Sequence, residues 1–72
     1  MFMQSALLNY LRQRSEQVLN REELAAAVWG LRLDPRSRVI DQTVSQVRKT
    51  LEPGERILTV HGTGYQHRRK TR

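Results

Sequence analysis

Seventy-two residues with 38% apolar content make one small domain, because a chain this short hides only about 60% of the surface it exposes when unfolded. Thirteen Lys and Arg against seven Asp and Glu leave a net charge of +6, which favours a polyanion, nucleic acid first, as partner. The lack of cysteine excludes a disulfide framework, a thiolate metal site and a cysteine nucleophile; no apolar run nears the roughly 18 residues of a membrane span, and Met1-Phe2-Met3-Gln4 lacks the charged start of a signal peptide, so a cytoplasmic chain is expected.

Between Gln4 and Arg14, Ala6, Leu7, Tyr10 and Leu11 recur at helical spacing and predict a first helix. A polar stretch, Ser15-Glu16-Gln17, follows. Asn20 with Glu23 three residues on has the form of a capping box, and Leu19 and Leu24 stand as a hydrophobic staple around it, so a second helix starts here. Leu24, Val28 and Trp29 continue its inward stripe, and Gly30 stops it. Segment 31–35 has no period, and Asp34-Pro35 suits a turn or a cap followed by proline.

Ile40, Val44, Val47 and Leu51 then fall at intervals of four, three and four, one stripe of a third helix spanning 37–51. Pro53-Gly54 ends it with turn chemistry. Arg56 to His61 is rich in β-branched and apolar residues, Gly62-Thr63-Gly64 forms a corner and Tyr65 begins a return strand, which predicts a hairpin over 56–66. The basic end, 67–72, is expected to be a disordered tail outside a domain of residues 1–66, with Arg68 and Arg69 available to phosphates or a minor groove.

The side of the third helix opposite its apolar stripe carries Arg38, Gln42, Ser45, Gln46 and Lys49, with Val39 and Thr43 at its flanks. A B-form major groove about 12 Å wide admits one helix; Gln pairs bidentately with adenine, and Ser and Thr serve several bases. Arg38 and Lys49, near the ends, suit phosphates. At the hairpin corner His61, Gly62, Thr63 and Gly64 bring backbone amides or an imidazole close to a phosphate or into a minor groove. Two histidines, no cysteine and no clustered carboxylates give no catalytic set, and no cofactor is expected.

Three blocks in order resemble the winged-helix effector domain of response regulators of the OmpR/PhoB class and of ToxR-like and CadC-like regulators. They are Asn20-Arg21-Glu22-Glu23-Leu24 with Val28-Trp29-Gly30, Ser37-Arg38-Val39-Ile40-Asp41 running to Val47-Arg48-Lys49-Thr50-Leu51, and Ile57-Leu58-Thr59-Val60-His61-Gly62-Thr63-Gly64-Tyr65. The resemblance implies an α+β winged helix-turn-helix of three helices followed by a C-terminal β-hairpin wing. It implies sequence-specific binding of double-stranded DNA in transcription regulation, with helix 37–51 in the major groove.

By the same resemblance Thr43, Ser45 and Gln46 match positions that touch bases or phosphates. Arg38, Arg48 and Lys49 match backbone-contacting positions, Thr59 a phosphate-contacting one, Tyr65 a wing residue near the sugar-phosphate chain, and Trp29 a residue that reaches the backbone. His61 stands where the family has an arginine that enters the minor groove, which turns a permanent charge into a pH-dependent one. The family's four-stranded sheet before helix one, and its receiver domain, have no counterpart in these residues, so the hairpin is expected to lack strand partners. A monomer in solution, head-to-tail pairing on DNA and contact with RNA polymerase through loop 30–36 are further expectations. The rival reading is a protein-interaction module, which calls for an exposed apolar patch of Val39, Leu31 and Leu33.

Overall fold

The computed structural model describes residues 2–30 and 32–70; the expectations for Leu31, Thr71 and Arg72 lie outside them. The chain runs α1 (Phe2–Gln13), β1 (Val18–Asn20), α2 (Arg21–Leu24) continued by a π-helical segment (Ala25–Trp29), α3 (Arg38–Arg48), β2 (Glu55–Val60) and β3 (Gly64–Arg69). The strands form one antiparallel sheet in the order β1-β3-β2. Three helices against this sheet give the α+β winged helix-turn-helix that the resemblance implied.

α1 buries Leu7 and Leu11, one turn apart, while Tyr10 packs at the margin and Ala6, expected on the same face, is exposed. Tyr10 reaches α2 instead through its hydroxyl, which donates to Glu23 Oε2 at 2.7 Å. That contact rewrites the capping box: Asn20 Oδ1 accepts from the Glu23 N–H at 2.7 Å, but the Glu23 carboxylate is turned toward Tyr10. Leu19 and Leu24 are both buried beside the cap, as a staple requires. α3 begins at Ser37, whose Oγ accepts from the Val39 N–H at 3.1 Å; Asp34 instead holds the preceding turn by accepting from Arg36 N–H at 2.9 Å. Ile40, Val44 and Val47 are buried, and Leu51 packs at the margin after the helix.

Two expectations about the hairpin need correction. It does not lack strand partners, because Leu19 pairs with Tyr65 and Val18 with Gln66, which makes β3 the central strand. Nor does the domain end at residue 66 with a disordered tail, since β3 continues through Arg69. The reason is period two: with Tyr65 facing inward, His67 faces inward as well, and it is 1% exposed.

His67 is buried against Glu55, whose side chain is wholly enclosed. Glu55 Oε2 lies 2.7 Å from His67 Nε2, and its two oxygens accept from Arg12 Nε at 2.5 Å and Arg12 Nη2 at 2.8 Å. Arg69 Nη2 donates at 3.2 Å and the Glu52 N–H at 3.0 Å, while Ser15 Oγ sits 2.8 Å from the other ring nitrogen of His67. Every polar atom of the carboxylate is thereby occupied, the condition under which a buried charge is tolerated. The cluster joins α1, the α3–β2 turn and the base of the hairpin.

Gly64 is the tightest point of the sheet. A Cβ there would stand 2.0 Å from Leu19 O and 2.9 Å from Asn20 Cα, both backbone atoms that cannot swing aside. Gly64→Ala is therefore expected to cost about 3 kcal/mol, the upper end for overpacking, in urea denaturation. Gly62, at φ 79° with open space around it, is the control; Gly62→Ala should cost only about 1 kcal/mol, the strain of a left-handed alanine.

The Arg12 guanidinium, with the Glu52 N–H and His67 adding to it, holds the Glu55 carboxyl far below its ordinary value of 4.5 against the opposing effect of burial. A carboxyl whose folded pKa is depressed contributes stability that is complete above its unfolded pKa and is lost as the pH falls toward the folded one. Stability should thus fall steadily below about pH 4.5. Glu55→Gln should lose about 3 kcal/mol near neutrality and show a shallower acid slope in the same titration.

Candidate nucleic-acid interface

α3 presents two unlike sides. Arg38, Gln42, Ser45, Gln46 and Lys49 are exposed on the side opposite Ile40, Val44 and Val47, so the sequence-predicted polar face is open to solvent. Val39 is also exposed, while Leu33 packs against the core, so no apolar patch joins those two. Thr43 is half-buried and its hydroxyl donates to Val39 O at 2.7 Å, leaving the oxygen's lone pairs for an outside donor. Trp29, half-buried at the end of the π-helical segment, packs against the core with one side left to solvent.

The wing tip is the reversal at 61–63, closed by the Thr63 N–H donating to Val60 O at 3.0 Å, with His61, Gly62 and Thr63 all exposed. Arg21 N–H donates to Thr63 O at 3.2 Å, which ties the tip to the start of α2. A cleft of about 280 Å³ separates the tip from the first turn of α3; Arg21, Asp41, Thr59 and Tyr65 line it together with the tip.

Several predicted site residues turn out to be struts. Tyr65 is 5% exposed, and its hydroxyl donates to Asp41 Oδ1, so the expectation that it meets a sugar-phosphate chain is corrected: its polar end is already engaged inside the domain. Arg48 spends Nε and Nη2 on Ile57 O at 3.1 and 2.7 Å and Nη2 on Thr59 Oγ1 at 2.9 Å, bracing α3 against the free edge of β2. Thr59 is exposed, so its hydroxyl hydrogen stays available. Arg68 and Arg69 lie away from the tip, at the hairpin's base: Arg68 is the register partner of Arg56 and Arg69 of Glu55, four and five rungs from Val60–Gly64. At about 3.3 Å per residue that separation is at least about 13 Å. Burial of His67 pulls the segment into the sheet and removes it from the tip.

Two residues at this site were not anticipated, Arg21 and Asp41. Arg21 donates from Nη1 to Asp41 Oδ1 at 2.7 Å and from Nη2 to Oδ2 at 3.2 Å, from Nε to Pro35 O at 2.7 Å, and from Nη2 to Ser37 O at 3.0 Å. One guanidinium thus joins α2, the turn before α3 and α3 itself, and Tyr65 adds the wing. Arg21 draws the Asp41 carboxyl below its ordinary value, with Tyr65 adding to the effect. Burial first, then Asp41, raises the Tyr65 hydroxyl. The sequence did hold one clue: a cation in the first turn of α2 opposes the helix dipole, so Arg21 needs a compensating partner elsewhere.

Asp41→Asn keeps the shape but removes the charge, and it is expected to cost about 1 to 2 kcal/mol, given that the carboxylate is partly exposed. Tyr65→Phe should cost about 1 kcal/mol, and the double substitution less than the sum, because Tyr65→Phe deletes the hydrogen bond whose charge assistance Asp41→Asn already removes. Chemical denaturation of the four proteins measures this coupling.

Among the described residues no group of three or more His, Asp or Glu side chains is placed to hold a metal ion, and no helix is long and apolar enough to cross a membrane. The family model described as "Transcriptional regulatory protein, C terminal" matches residues 3–67. The phosphate regulon transcriptional regulatory protein PhoB of Escherichia coli is 38% identical over 63 residues, covering 83% of this chain and 28% of the relative. The chain therefore spans little more than a quarter of that relative's length. The DNA-binding domain of CpxR from E. coli superposes with a TM-score of 0.79 at 32% identity, over 96% of this chain and 72% of that one. The Klebsiella pneumoniae RstA DNA-binding domain, solved in complex with the RstA box, gives 0.78 at 27% identity, over 92% and 69%. A polar helix face beside a hairpin wing, with a family match over nearly its whole length, makes this chain a member of the C-terminal, DNA-binding domain family of transcriptional regulatory proteins.

Proposed function

We propose that this domain reads a specific double-stranded DNA site for a transcription regulator, with α3 in the major groove and the wing tip at the adjacent minor groove. The observation that carries the reading is the division of α3: one side is buried in the core, and the other offers Gln42, Ser45 and Gln46 between Arg38 and Lys49, with no internal partner for any of their side chains among the described residues. Amide and hydroxyl groups mid-helix suit base edges, and cations at the two ends suit phosphates.

Thr43 adds a lone pair to this face, Thr59 stands beside α3 through its hydrogen bond with Arg48, and the solvent side of Trp29 is assigned to the DNA backbone in the same reading. At the tip, His61 and Thr63 carry the wing contact. Arg48 and Tyr65 act by holding the helix and the wing in register, and Arg68 and Arg69 are left out of the tip contact. The reading is that of a binding module with no catalytic step, operating with the DNA in the cytoplasm. Two finer elements belong to the same proposal. Chains pair head to tail on repeated half-sites, and segment 30–36 faces RNA polymerase, supported by an adjoining cleft of about 310 Å³ lined by Glu22, Ala25, Ala26, Gly30, Leu33 and Pro35.

Selection from random duplexes supplies the preferred site, after which titration separates the roles. Gln46→Ala should lose about 1 to 3 kcal/mol on that site and little on random duplexes. Lys49→Ala should weaken all sequences alike and reduce the salt slope by about one. Equal losses for Gln46→Ala on both kinds of duplex would remove it from base reading.

A further inference from the structure

The outward face of the sheet carries a cationic cleft that the proposed DNA-reading face does not use. Side chains alternate along strands, so with Glu55, Ile57, Tyr65 and His67 buried inward, Arg56, Leu58, Gln66 and Arg68 face outward. Arg56 and Arg68 are direct register partners. The Lys70 N–H donates to Gly54 O at 2.7 Å, which keeps a third cation at their side. Gly54, Arg56, Leu58, Arg68, Arg69 and Lys70 enclose a cleft of about 380 Å³.

Charge balance around the cleft is incomplete. Arg68 meets Glu16 at 3.1 Å, and Arg69 meets Glu52 at 3.6 Å and Glu55 at 3.2 Å. Among the described residues Arg56 and Lys70 meet no carboxylate. Like charges directly opposite one another destabilise an antiparallel pair, so Arg facing Arg beside an unpaired Lys is a cost that a bound polyanion offsets. None of the residues lining the cleft belongs to α3 or to the wing tip.

We propose that this cleft seats the sugar-phosphate backbone of a second duplex, so that one chain joins two DNA segments. The proposal rests on the reading that α3 and the wing bind the first. Guanidinium forks fit phosphate oxygens bidentately, and surfaces that bind nucleic-acid backbone are polar and cationic. A protein partner calls for an apolar or aromatic centre, whereas Leu58 is the only apolar side chain in the cleft lining.

The test uses the full chain on an immobilised duplex carrying the selected site, followed by a second, labelled duplex of unrelated sequence. The wild-type chain should retain the second duplex in a salt-sensitive manner. Arg56→Glu with Lys70→Glu should lower that retention about tenfold or more while changing affinity for the first duplex less than about threefold. Binding of the first duplex without retention of the second overturns the bridge and leaves the DNA-reading role standing. Equal loss of both duplexes assigns the cleft to the first duplex, and undiminished retention assigns the bridging to paired chains; either result overturns the proposal. Displacement of the second duplex by polyglutamate at lower charge concentration than by competitor DNA points to an acidic protein and overturns it too. Failure to bind the first duplex sinks the DNA-reading role and the bridge together.

Discussion

The bidentate pair between Arg21 and Asp41 fixes the relative position of everything a groove would meet. It spans α2 and α3, reaches the intervening turn through Pro35 O and Ser37 O, and receives the Tyr65 hydroxyl from the wing. A domain of this size has a thin core and a stability margin of only about 3 to 5 kcal/mol. A charged bracket at the edge of that core does what apolar packing alone does poorly, holding two helices and a hairpin in one register. Hydrogen bonds to charged groups are directional, whereas apolar contact tolerates sliding.

The hairpin is held at both ends by polar chemistry of different kinds. Near the tip the bracket is partly open to water, with the Arg21 and Asp41 side chains 27% and 46% exposed. At the base the Glu55 carboxylate is enclosed and surrounded by Arg12, His67 and Arg69. The open bracket adjusts a surface; the closed cluster locks α1 to the sheet. Arg48 adds a third brace in the middle by capping Ile57 O on the outer edge of β2. That brace also covers an edge carbonyl that another strand would otherwise pair with.

Legibility followed the range of the physical signal. α3 was plain because Ile40, Val44 and Val47 repeat at helical spacing, and its polar face followed by subtraction. The hairpin was plain in outline because Pro53-Gly54 and Gly62-Thr63-Gly64 punctuate it. β1 was hidden, since a three-residue strand with one buried side chain, Leu19, has no period to detect. The Glu55 cluster was hidden for another reason. Its partners come from 43 residues upstream and 12 downstream, and charged residues read locally look like surface. Following the alternation from Tyr65 one step further would have placed His67 inside. Among site residues, Gln42, Ser45, Gln46, His61 and Thr63 are exposed, as their place in the sequence pattern predicts, whereas Tyr65 and Arg48, to which the resemblance gives outward roles, are engaged by internal hydrogen bonds.

The central claim is geometric: the hydrophilic side of α3 and the wing tip form one duplex-binding surface. Backbone amide chemical shifts followed by NMR during titration with the selected duplex test it residue by residue. The account predicts that the earliest and largest changes fall on Arg38 to Lys49 and on His61 to Thr63, and that they shrink as salt is raised. Changes confined to other elements, with α3 silent at saturation, contradict it.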